Sequence, residues 1–132
     1  MDRLEQLIEE YQNDLTFEFR SDMPDSLSGL IIDNHVLINS SIDRDKAYIT
    51  IAEEIGHYET SSPKDITNYT LHRKEELQAR RWSYKKVVPV HYLKKYSEAD
   101  EKVYLYQIAE ELDLPEDIIE KSIEVYKLEG KL

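Results

Sequence analysis

The residues best suited to chemistry lie in Ile51-Ala52-Glu53-Glu54-Ile55-Gly56-His57-Tyr58. On a helix, residues four apart share a face, so Glu53 and His57 can reach one metal ion. Glu54 then lies close enough to take a proton from water held by that ion. The spacing matches the helical zinc motif H-E-x-x-H, with Glu53 where the first histidine would stand. A carboxylate binds zinc at about 2.0–2.2 Å, so Glu53 can replace the imidazole directly. Glutamate-rich helices also produce E-E-x-x-H as an ordinary surface Glu–His pair. Gly56 points beyond a surface role. Inside a helix, glycine costs about 1 kcal/mol relative to alanine, a cost justified where a strand or substrate approaches the backbone closely.

Zinc sites of this kind draw a further ligand from a second helix, commonly a glutamate. Glu75 and Glu76 lie downstream, across a segment long enough for the chain to turn back, and His72 precedes Glu76 by four residues. Two antiparallel helices could therefore turn Glu53, His57, His72 and Glu76 towards one point. The alternative is that Glu75 and Glu76 pair with Arg73, Arg80 and nearby lysines on a solvated face; Glu75 is read that way, and the same reading stays open for His72.

The elements that must position these residues follow from periodicity and turn chemistry. Leu4, Leu7, Ile8 and Tyr11 recur at helical spacing and predict a helix over Asp2–Tyr11. Leu15–Phe19 alternates like a half-buried strand, and Ser21–Ser26, with Pro24 and two aspartates, reads as a loop. Leu27–Ile32 and His35–Ser40 are two β-rich runs around Asp33-Asn34, residues that tolerate positive φ, so a tight hairpin is expected there. The motif helix is predicted from about Asp43 to Glu59, capped by Ser41 or Asp43, with Tyr48, Ile51, Ala52, Ile55 and Tyr58 as its apolar stripe. Thr60–Tyr69 reads as a loop. A second long helix is predicted over Leu71–Val88, closed by Pro89, and a short one over Val90–Tyr96. Two more helices are expected in Glu98–Leu132, joined at Leu112–Pro115.

Composition bounds the function. The chain has 132 residues, 40% hydrophobic and 34% charged, which suits a single domain with its own core. We read residues 1–97 as the catalytic core and 98–132 as a C-terminal helical pair. No cysteine is present, which excludes thiolate metal sites and disulfides. No apolar run is long enough to span a bilayer, and the N-terminus lacks a basic stretch followed by an apolar one, so a cytoplasmic location without membrane contact is expected. The net charge of −11 opposes direct nucleic-acid binding. Arg73, Lys74, Arg80, Arg81, Lys85 and Lys86 cluster locally and read as a solvated face balancing nearby acids, or as a docking patch for an acidic partner. Tyr106–Pro115 is similar to the first half of a helix-turn-helix, but Glu116, Asp117, Glu120 and Glu124 would face phosphate, so the unit is read as a packing element. Half of the ten tyrosines, namely Tyr92, Tyr96, Tyr104, Tyr106 and Tyr126, lie in the C-terminal third, either covering core edges or forming a partner surface.

Three stretches together resemble the ImmA/IrrE family of small zinc metallopeptidase-like proteins, in the form carried by phages and mobile elements. The first is Asp22–Leu30 with the hairpin ending Val36-Leu37-Ile38-Asn39, and the second is the helix Ile51–Ser61. The third is Glu75–Pro89, where Glu76, Ala79, Trp82 and Pro89 fit the family's spacing of ligand glutamate, alanine, aromatic and proline. The resemblance covers about residues 1–125. It implies an α+β, minimal gluzincin-like fold, with a small antiparallel sheet packed on the active-site helix and helices at the C-terminus. It implies zinc and hydrolysis of a peptide bond in a helix-turn-helix repressor, with Glu54 as general base and His57 and Glu76 as ligands.

Glu53 departs from the family pattern. It could bind the metal itself, His72 could supply the missing nitrogen, or the site could hold no metal. If Glu53 is a ligand, three carboxylates crowd the ion, its residual charge falls, and sluggish or conditional catalysis is expected. Without metal, some of these carboxylates should hold protons at raised pKa. The strand His35–Ser40 is expected to serve as an edge that aligns an extended substrate. Tyr48, Tyr58, His35 and Tyr69 are candidates for stabilising the oxyanion. The alternative reading is a catalytically degenerate member that binds a repressor, or a toxin–antitoxin partner, without cleaving it.

Overall fold

A computed structural model describes residues 1–60 and 69–132, and of residues 69–72 the backbone alone. It is α+β, with six helices and a small three-stranded mixed sheet among the described residues. The chain divides into two compact units, Met1–Ser83 and Tyr84–Leu132. No helix of the described residues is long and apolar enough to cross a membrane.

The first unit opens with α1 (Arg3–Tyr11), capped by Asp2, whose Oδ1 accepts a hydrogen bond from the Glu5 backbone N–H at 2.9 Å. Arg44 also pairs with Asp2, and these contacts hold the Asp2 carboxyl down at about pKa 2. Strand β1 (Thr16–Arg20) follows, and then β2 (Gly29–Ile32) and β3 (His35–Asn39) form the expected hairpin, with Asp33 at φ 53° in its turn.

The sheet corrects two expectations. It is mixed rather than antiparallel, because β1 pairs parallel with β3 while β2 pairs antiparallel with it. The strand order β1-β3-β2 also makes His35–Asn39 the central strand and not an edge. The cause is the path of residues 21–28, which carries the chain past the place beside β1 before β2 begins, so that the hairpin returns β3 into the gap. Asn39 fixes that path. Its buried amide donates to the carbonyls of Pro24 and Leu27 at 3.1 and 3.0 Å and accepts from the Ser41 backbone and hydroxyl.

Helix α2 (Arg44–Thr60) lies on β2 and β3, and Asp43 caps it through the Lys46 N–H at 2.8 Å. Ile51, Ala52 and Ile55 are fully buried with Val36 and Ile38 of β3. Of the remaining stripe residues, Tyr48 lies under the Arg3 guanidinium and Tyr58 is partly exposed, edge-on to Tyr11. Gly29 of β2 is required by this packing, since a Cβ there would collide with the Thr50 side chain. Helix α3 (Tyr69–Val87) packs on α2, and Trp82 meets Tyr11 of α1 edge-on at 6.4 Å. The expected loop Thr60–Tyr69 falls mostly outside the described residues, with Thr60 ending α2 and Tyr69 opening α3.

The second unit contains α4 (Val90–Ser97), α5 (Leu105–Leu112) and α6 (Glu116–Leu128). Asp113, at φ 53°, ends α5, and Pro115 starts α6. Val88, Leu93, Ile119 and Val125 form the core with Tyr126, whose hydroxyl donates to the Val88 carbonyl at 2.7 Å. Tyr126 is thus a core residue, while Tyr92, Tyr104 and Tyr106 are exposed.

Candidate metal centre

The candidate site is built on α2 and α3 around a close approach of their backbones at Gly56 and Ala79. A Cβ on Gly56 would collide with the carbonyl oxygen of Ala79 and stand 3.2 Å from its Cα. The glycine therefore exists to admit another helix, rather than the strand or substrate expected. Ala79 is fully buried in the same contact. On α2, Gly56 lies beside His57 in sequence and within one turn of Glu53 and Glu54. On α3, Ala79 lies three residues after Glu76 and one before Arg80. The close approach brings the polar groups of the two helices together.

His57 and Glu76 face each other, with Nε2 3.2 Å from Oε1. Two donors about 2.0–2.2 Å from a tetrahedral zinc ion stand about 3.3–3.5 Å apart, so this pair fits two corners of a zinc site. Glu54 is half-buried beside them. Burial first, and then the carboxylates of Glu53 and Glu76, push its pKa up from 4.5 to about 7. Glu54 is thus shared between its protonated and ionised forms near neutrality. The Glu54 stem passes under the start of β2, where its Cγ lies 3.6 Å from the position a Cβ on Gly29 would take.

Glu53 is not turned onto the His57–Glu76 pair. Its Oε1 lies 3.2 Å from Nε of Arg80. Among the described residues no three histidine or acidic side chains converge closely enough to hold an ion as they stand. His72 lies in the first turn of α3, four residues before Glu76, and its side chain is outside the described residues.

Arg80 is the residue that sequence reasoning missed. Its sequence context places it on the basic face, yet it follows Glu76 by four residues, and that helical spacing is the signal that could have found it. Lys85 of the same cluster pairs with an acid as that reading expects, Glu129 at 3.1 Å. The expected oxyanion candidates are engaged in other contacts: Tyr48 with Arg3, Tyr58 with Tyr11, and His35 with the Thr16 hydroxyl. The side chain of Tyr69 is outside the described residues.

Comparison of the chain with models of known protein families returns no match, and neither does comparison with curated proteins.

Proposed function

We propose that this chain is a zinc-dependent endopeptidase with a minimal gluzincin-like arrangement, akin to the ImmA/IrrE proteins, that cleaves a helix-turn-helix repressor in the cytoplasm. The observation that carries the reading is the approach of His57 Nε2 to Glu76 Oε1 at 3.2 Å, from two helices held together by a glycine. His57 and Glu76 would hold the ion, with Glu53, or His72, as third ligand. Zinc, when bound, supplies a Lewis acid that acidifies water and polarises a scissile carbonyl.

The protein's own groups account for the remaining steps. Glu54 accepts the proton of the attacking water and returns it to the leaving amine. Its half-buried position beneath β2 limits the water that could compete for that proton. Since β3 is central, an extended substrate would pair instead on the outer edge of β2, whose first residue, Gly29, adjoins Glu54.

A second reading is favoured by one observation. The Glu53–Arg80 pair engages the first ligand position of the motif with a guanidinium, which supports a protein that keeps the fold without the chemistry. Elemental analysis and a repressor-cleavage assay separate the two. The enzyme reading expects about one zinc per chain, lost in His57→Ala, and cleavage reduced about 10²-fold or more in Glu54→Gln. Zinc-free protein that still binds the repressor supports the second reading. A Glu54→Gln variant that cleaves as well as wild type removes the proposed mechanism.

A further inference from the structure

We infer that Arg80 is a positioning residue that withholds Glu53 from the metal, so that recruiting Glu53 as third zinc ligand must break an ion pair inside the site. The inference rests on the reading of His57 and Glu76 as ligands. Its starting point is helical geometry. Arg80 lies one turn beyond Glu76 on α3, and Glu53 lies one turn before His57 on α2. The Gly56–Ala79 contact sits between these two levels and holds the helices close enough for both pairs to form. The result is two parallel bridges, His57–Glu76 and Glu53–Arg80, each with a closest distance of 3.2 Å.

The two bridges differ in what they offer a cation. The first presents an imidazole nitrogen and a carboxylate oxygen. The second presents a carboxylate already neutralised by a guanidinium, which has no lone pair to donate. For Glu53 to become the third donor, its carboxylate must leave Arg80 and swing towards His57. The Arg80 side chain is about half exposed and that of Glu53 about one-third, so the bridge is of the weak, solvent-screened kind that can open. A pair of that kind opposes its own opening by a factor of up to about five. The fixed positive charge that remains near the dication opposes binding by a similar factor. Removing Arg80 should therefore tighten zinc binding about tenfold. The arrangement also gives the carboxylate at the first ligand position a use: Glu53 can be held in reserve by an arginine, which a histidine could not be.

The test is a zinc titration of the full chain against a competing zinc-chelating dye, with wild type, Arg80→Gln, Arg80→Lys, Glu53→Gln, the Arg80→Gln/Glu53→Gln double variant and His57→Ala. Circular dichroism of each variant checks that it is folded. We expect Arg80→Gln to bind zinc about tenfold more tightly and Arg80→Lys to stay near wild type. In the Glu53→Gln background, the gain from removing Arg80 should shrink to about threefold or less, because the bridge it would release is already gone. Arg80→Gln binding no tighter than wild type overturns the inference, as does an equal gain with and without Glu53. Zinc binding that survives His57→Ala, or is absent from both wild type and Arg80→Gln, instead defeats the metal-site reading on which the inference depends.

Discussion

Replacing Gly56 by alanine tests the helix contact on which the candidate site is built. Viewed along α2 alone, the change should stabilise the protein, since alanine is better than glycine in a helix interior by about 1 kcal/mol. Tertiary packing reverses the sign. The new methyl would meet the carbonyl oxygen, carbonyl carbon and Cα of Ala79, all backbone atoms of a helix with no rotamer to change. Relief therefore requires α3 to retreat by about 1 Å. Overpacking of this kind costs about 1–3 kcal/mol, and a backbone obstacle puts it at the upper end. The net loss is about 2 kcal/mol, which for a chain of this size lowers the melting temperature by about 7 °C. The retreat would also widen the 3.2 Å gap between His57 and Glu76, so zinc affinity should fall along with stability. Circular dichroism melts and a zinc titration measure both effects. Because the obstacle is backbone, Ala79→Gly should give no rescue, and the double variant should melt below either single one. A Gly56→Ala protein that melts at or above the wild-type temperature would refute the close approach of the two helices.

The remaining predictions concern the site and the path into the sheet. Burial raises the Glu54 pKa in the folded protein from 4.5 to about 7, so the folded state favours the protonated form. The metal-free protein should then keep the full Glu54 contribution below about pH 4.5 and lose it as pH rises through about 7. At about 1.4 kcal/mol per pH unit the loss is at most about 3 kcal/mol, and solvent at the half-buried side chain reduces it to about 1–2 kcal/mol. Chelator-treated Glu54→Gln protein should lack this pH dependence and melt above wild type at pH 8, and equal melting curves at pH 5 and pH 8 for both proteins would contradict it. Asn39→Leu should destabilise by about 2–4 kcal/mol in urea unfolding, because the carbonyls of Pro24 and Leu27 and the groups of Ser41 lose their partner. A loss under about 0.5 kcal/mol would mean that the amide does not hold the path of residues 21–28.

Some of this organisation was readable from local chemistry. The hairpin turn was marked by Asp33-Asn34, and Asp33 does take the left-handed conformation that such residues tolerate. Ile51, Ala52 and Ile55 identified the buried face of α2, and Gly56 signalled a close approach, although not of which element. Other features depend on contacts between distant residues and leave little periodic trace. The parallel pairing of β1 with β3 is decided by the route of residues 21–28, whose control point, Asn39, lies at the end of a later strand. Alternation within His35–Ser40 is the same whether the strand is central or at an edge. Within the site, helical spacing suggested that His57 and Glu76 could meet. Arg80 reads from sequence as part of a solvated face, because its partner lies 27 residues away on another helix.

The length of β2 bears on how anything could rest against it. A four-residue strand at the border of a sheet turns the backbone groups of about two residues outward, enough for about four hydrogen bonds with an added chain. At about 1 kcal/mol each, these bonds alone support only millimolar attachment. Leu30 and Ile32, which stand exposed on one face of this strand, would have to contribute side-chain contacts before a visiting chain stayed long. Main-chain pairing here would orient a guest without retaining it, and selectivity would fall to whatever the guest places beyond those four residues.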